Sequence, residues 1–279
     1  MPIHDQGYRR YAGPRAEAGR AWSVIATAGI RTLFAKRAFV GLLLLAWVPF
    51  VVRVVQIYAA ANLPQAQFLA PDAKMFRDFL GQQEVFLFFI TVYAGTGLIA
   101  NDRRANALQI YLSKPLTRPE YIFGKFSILF VLLLLVTWVP AVLLLVIQVL
   151  FAGSFTFFVK NLFLLPAITI FSLIQVTAVS LAMLALSSLS RSSRYVGVLY
   201  AGLIFFSQAL YGVVRGITGD TRLAWLSVTF DLQQIGDAVF RTAPRFHMPV
   251  WSAFAVVGLL IVVSALVLER RVRGIEVVS

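Results

Sequence analysis

The side chains able to do covalent, metal or proton chemistry are few. His4 and His247 are the only histidines. They form no triad, His-rich metal site or HExxH pattern. His247 stands beside Met248, but two adjacent ligands do not make a copper site, and it reads as a loop histidine. There is no cysteine, which excludes a disulfide framework, thiolate chemistry and Cys-based metal sites. Gly124-Lys125 is not a phosphate loop. Pro119 stands where its first Gly would be, and Phe126 where Ser or Thr would bind magnesium. The chain therefore lacks a nucleotide-binding motif and is not expected to be an enzyme. What remains is a basic polar stretch, residues 101–125. It carries Arg103, Arg104, Lys114, Arg118 and Lys125 against Asp102 and Glu120.

That stretch needs elements to hold it. Asn101 or Asp102 can cap a short helix, with a side-chain oxygen accepting from the free N–H groups of the first turn. Leu108 and Leu112 then share a face, with Ala105 one turn earlier. Pro115 disfavours helical geometry at Lys114 and closes the helix. Thr117 and Glu120 have capping-box spacing, with Pro119 in the first turn of a new helix. The spacing predicts a short amphipathic helix lying across the base of two membrane spans. An ordinary basic loop is the plainer alternative.

The composition supplies the spans. The chain has 279 residues, 59% of them hydrophobic, with a mean hydropathy of +0.82, above the usage of soluble domains. Several continuous apolar runs reach the length that crosses a bilayer, so the fold class expected is all-α, a polytopic membrane protein rather than a barrel. Residues 1–20 are a polar tail without an apolar signal core, so the first span is expected to direct insertion. Residues 21–37 form a basic amphipathic helix with Trp22, Ile25, Gly29 and Leu33 on one stripe, which suits the membrane surface better than an extension of the first span. The transmembrane domain covers residues 21–268. Its six spans are placed at about 38–58, 85–100, 121–150, 161–189, 195–214 and 250–268, with Pro140 a kink candidate. Residues 59–84 and 215–249 are read as outer segments, the second holding one or two short helices. Residues 269–279 are a tail.

Charge orients the set. Lys and Arg number seven in the N-terminal segment, five in the 101–125 loop, two in the Ser187–Arg194 turn and three in the tail, against seven on the opposite side. The positive-inside rule places both termini in the cytosol. It also accounts for the net charge of +13 without nucleic acid.

Ionisable residues are almost absent from the spans, where a proton- or sodium-coupled carrier keeps its acids. Arg53 is the exception and by default snorkels to the interface. Polar side chains within spans mostly hydrogen-bond to neighbouring helices. Arg53, Thr91, Tyr93, Gln175 and Gln208 are the candidates to line a translocation path. An ATP-independent carrier or channel, a non-transporting membrane anchor or sensor, and a membrane-embedded enzyme are the rival readings.

Gly97-Leu-Ile-Ala-Asn-Asp102, Ala107-Leu-Gln-Ile-Tyr-Leu-Ser-Lys-Pro-Leu-Thr-Arg118 and Glu120-Tyr-Ile-Phe-Gly-Lys125 together resemble the permease subunits of ABC-2 type transporters. The shared pattern is an acid after span 2, a hydrophobic-Ser-x-Pro segment, and Gly-Lys opening span 3. The order of elements matches over nearly the whole chain. One departure is Asp102, where many members have Glu. The resemblance implies a permease working as a homo- or heterodimer in a prokaryotic inner membrane, mostly for export. It implies two cytosolic ATPase subunits beneath, which hold the ATP and magnesium; no cofactor is expected on this chain. Residues 103–112 would be the coupling helix. Leu108, Tyr111 and Leu112 would fill a groove on the ATPase, with Asp102, Arg103, Arg104 and Gln109 around them.

Overall fold

Six helices are long and apolar enough to cross a bilayer. They are span 1 (Arg37–Asn62), span 2 (Ala73–Arg104), span 3 (Arg118–Ala152), span 4 (Leu164–Leu189), span 5 (Ser193–Thr218) and span 6 (Val250–Arg271). The structure, a computed structural model, describes residues 21–107, 117–152 and 156–272. Among these residues there are helices and turns and no strand. An entry helix, Ala21–Phe34, precedes span 1. An outer helix, Val228–Val239, follows a 3-10 turn at Arg222–Leu226, as expected for the segment before span 6.

Span 4 is the hub. Of its most apolar window, 61% is buried inside the chain, against 17% for spans 1, 5 and 6. Those three present aliphatic faces outward, as Leu44, Leu45, Val51 and Val52 do on span 1. Two cores are stacked along the bundle. The basal one joins Leu33 of the entry helix, Phe39, Ala94, Tyr121, Leu129, Met183, Val196 and Leu268. The outer one joins Ile57, Phe76, Phe79, Leu144, Ile168, Phe171, Ile235 and Val257. Each core draws on spans 1 to 6, so the spans are fixed to one another at both ends.

Three spans are broken. Span 1 consists of Arg37–Ala46 and Val48–Asn62. Pro49 lacks an N–H and crowds the preceding turn. The Gln83 amide donates to the Ala46 carbonyl at this break, 3.1 Å away. Span 3 breaks at Thr137, between Arg118–Val136 and Trp138–Ala152, three residues before the expected kink at Pro140. Thr137 is buried and its hydroxyl donates to the Leu133 carbonyl. Span 2 breaks at residues 96–99, between Ala73–Gly95 and Ala100–Arg104.

Span 2 corrects the sequence reading of where the membrane helix begins. Its helix starts at Ala73, not near residue 85, because Asp72 caps it by accepting from the Met75 N–H at 2.8 Å. Lys74, Arg77, Asp78 and Glu84 lower the local hydropathy, yet Met75, Phe76, Phe79 and Leu80 bury one face. The entry helix is also shorter than expected, ending at Phe34. The capping box that opens span 3 is present. Thr117 Oγ1 accepts from the Glu120 N–H, and Glu120 Oε2 accepts from the Thr117 N–H at 2.9 Å.

Candidate functional site

The basal ends of spans 2, 3 and 4 are tied at one point. Asp102 Oδ2 accepts from the Tyr121 hydroxyl at 2.7 Å and lies 2.7 Å from Lys125 Nζ. Both charged side chains are largely buried, 17% and 12% exposed, so solvent screens the pair less than a surface bridge. Lys125 also lies over the Tyr121 ring, 5.5 Å from its centroid. One residue on, the Arg103 guanidinium donates to the Ser188 carbonyl of span 4.

Ser187 completes the junction. Its hydroxyl accepts from the Ile99 and Ala100 N–H groups at 3.1 and 3.0 Å and donates to the Thr96 carbonyl at 2.9 Å. A serine of span 4 thus satisfies backbone groups that the break in span 2 leaves without helical partners. Gly95 allows the approach, since a Cβ there would stand 2.4 Å from Met183 Cγ.

The Gly-Lys pair has a division of labour. Lys125 neutralises Asp102. Gly124 receives the entry helix: a Cβ there would meet Ile25 Cβ at 2.9 Å and the Trp22 carbonyl oxygen at 3.0 Å. Gly29 is the matching small residue, facing Ile128, and Trp22 packs edge-on to Phe123 with centroids 5.0 Å apart. The entry helix, span 3 and the junction therefore sit against one another at the foot of the bundle.

The helix expected from Arg103 to Leu112 is not continuous. Asp102, Arg103 and Arg104 belong to the segment Ala100–Arg104, which starts after Ile99 with no side-chain cap. The chain turns at Ala105–Asn106, where Asn106 takes a left-handed φ of 51°. Asn tolerates that conformation better than most residues. Neither Asn101 nor Asp102 caps; Asp102 is committed to Tyr121 and Lys125 instead. Leu108, Gln109, Tyr111 and Leu112 lie outside the described residues.

A second feature lies farther out. A cavity of about 360 Å³ opens between spans 2, 4 and 5 and the outer helix, lined among others by Glu84, Phe88, Gln175, Tyr200, Phe205 and Gln208. Gln175 and Gln208, two of the path candidates, are thus brought together. Gln208 donates to Thr229 Oγ1 at 2.8 Å, whereas the Gln175 amide is buried with no hydrogen bond among the described residues. The other candidates stand elsewhere. Thr91 is fully buried. Tyr93 stacks on Phe39 beneath Lys36. Arg53 donates to Gln56 Oε1 at 2.7 Å, and Gln56 in turn donates to the Leu69 carbonyl, so Arg53 is linked through Gln56 to the outer loop.

An ion-pair network closes the outer end. Arg77 Nη1 lies 2.6 Å from Asp237 Oδ1, and both side chains are buried. Asp78 pairs with Arg77 at 3.2 Å and Arg245 at 3.3 Å. Asp237 Oδ2 accepts from the Arg245 N–H at 2.9 Å. Sequence reasoning placed these residues in two separate outer segments and missed both the network and Glu84. A signal that could have revealed the helix there is Asp72 ahead of apolar residues at three- and four-residue spacing.

Residues 24–270 match the family described as ABC-2 family transporter protein. No curated protein matches the chain.

Proposed function

Because the chain belongs to the ABC-2 family of transporter proteins, we propose that it is the permease of an ATP-driven exporter. Permeases of this family are the transmembrane subunits of ABC transporters, which act with an ABC ATPase and dimerise. In our reading two ATPase subunits hold ATP and magnesium and dock from the cytosol on residues 103–112. A second permease chain completes the bundle, and both termini lie on the cytosolic side of a prokaryotic inner membrane.

The junction at Asp102 is the observation that carries this reading. A docking segment transmits force only if it is fixed to the helices it must move. Here the residues entering the segment are clamped to span 3 by Asp102–Lys125 and Asp102–Tyr121, and to span 4 by Arg103–Ser188 and Ser187. The capping box at Thr117 fixes where the chain leaves the segment. ATP-driven closure of the ATPases would push these bases together and rock spans 2 to 4, exchanging inward- and outward-facing states.

The test is purification with the ATPase partner and measurement of ATP hydrolysis and association. Leu108→Asp with Leu112→Asp is expected to dissociate or uncouple the pair. Unchanged association and activity would overturn the docking assignment.

A further inference from the structure

Four charges of the outer end pair with one another. Arg77 and Arg245 face Asp78 and Asp237, two against two. Glu84 stands beside this neutral set without a cation within bonding distance among the described residues. Among the described residues its Oε2 accepts from the Gln233 amide at 3.2 Å, and its Oε1 is buried with no hydrogen bond. Glu84 also lines the cavity between spans 2, 4 and 5.

The rest of the cavity is aromatic and apolar. Phe88 stacks on Tyr200 with centroids 5.6 Å apart and meets Phe205 edge-on at 5.2 Å. Gln175 lines the cavity with both amide atoms unbonded among the described residues. A cavity of about 360 Å³ lies in the range of small-molecule sites, which pair apolar walls with few polar groups. An unpaired carboxylate beside aromatic faces favours a positive charge, through Coulomb attraction and cation–π contact. The two free amide atoms offer a donor and an acceptor to a polar substituent.

We propose that this cavity binds an amphipathic organic cation, its charge toward Glu84 and its apolar body against Phe88, Tyr200 and Phe205. As a statement about cargo the inference rests on the permease reading; as a statement about binding it does not.

The test uses the full chain in lipid nanodiscs without its ATPase, with radiolabelled tetraphenylphosphonium and tetraphenylborate as probes of matched shape and opposite charge. Binding to protein-free nanodiscs is subtracted. The ratio of phosphonium to borate binding is expected to fall about tenfold in Glu84→Gln, while Val179→Trp, which fills the cavity, abolishes saturable binding of both. A ratio unchanged in Glu84→Gln, or equal binding of both ions by the wild-type chain, marks an acyl-chain pocket and overturns the proposal. Wild-type binding by a folded Val179→Trp variant overturns it too, and decides the matter if Glu84→Gln does not fold. Failure here with ATPase coupling intact sinks the cation site alone. Binding without any ATP-dependent coupling in the reconstituted complex sinks the transporter reading alone.

Discussion

Asp102 holds a phenol and an ammonium at once, and its value lies in doing both from one carboxylate oxygen. Removing its charge leaves Lys125 largely buried and unpaired, which costs more than the pair itself contributes. Asp102→Asn is expected to cost about 2 kcal/mol and to lower the ATPase coupling of the reconstituted complex at least tenfold. Asp102→Glu, which keeps the charge, is expected to retain most of both. Thermal unfolding in detergent and ATPase assays with the partner check this; equal loss in the two variants would show that charge is not what matters. Asp231, on the outer helix, is a different case. It is fully buried, both oxygens lack a hydrogen bond among the described residues, and burial pushes its carboxyl up to about 8. The unfolded chain releases this proton near pH 4 while the folded chain keeps it. The stability is therefore fully present below pH 4 and is lost as pH rises through about 8. Asp231→Asn, neutral throughout, is expected to melt above the wild type at pH 8.5 and close to it at pH 4. Parallel melting profiles across that range would contradict this.

At the scale of elements, the contact between the entry helix and span 3 rests on two glycines. Gly124→Ala sets a Cβ against a backbone carbonyl and a branched side chain that cannot swing away. Overpacking of this kind costs about 1–3 kcal/mol. Gly81→Ala meets nothing within 4 Å and is expected to be neutral. A melting temperature lowered only in the first variant supports the close crossing. This crossing was half legible: the stripe Trp22, Ile25, Gly29 is visible in sequence, but that its partner is the Gly-Lys motif is not, because periodicity reports a face and not what covers it. The capping box at Thr117 and the kink near Pro140 were legible because their causes are local. The outer half of span 2 was not, since Lys74, Arg77, Asp78 and Glu84 read as solvent-facing until their partners are known. The same holds for the turn at Asn106, whose left-handed backbone leaves no mark on apolar spacing.

For the whole molecule, the consequence of two stacked cores is that the basal junction and the outer network are joined by helices held at both ends. Motion imposed at Asp102 reaches the outer end only if spans 2 and 4 move as units. The Arg77–Asp237 pair, beside the Glu84–Gln233 hydrogen bond, fastens span 2 to the outer helix, and it joins residues 160 positions apart. Deleting one partner strands the other in a buried site, at about 3–5 kcal/mol, whereas replacing both with apolar groups is often near neutral. Asp237 has a second partner in Arg245, which lowers the loss for Arg77→Met to the bottom of that range. Arg77→Met is expected to lower the melting temperature clearly, and Arg77→Met with Asp237→Leu to recover part of it, with Arg245 left to Asp78. If the pair acts as the mechanical tie, the double variant will regain stability but not ATP-coupled transport, because apolar packing restores cohesion without restoring the directional bond. Recovery of both together would assign the pair to folding alone.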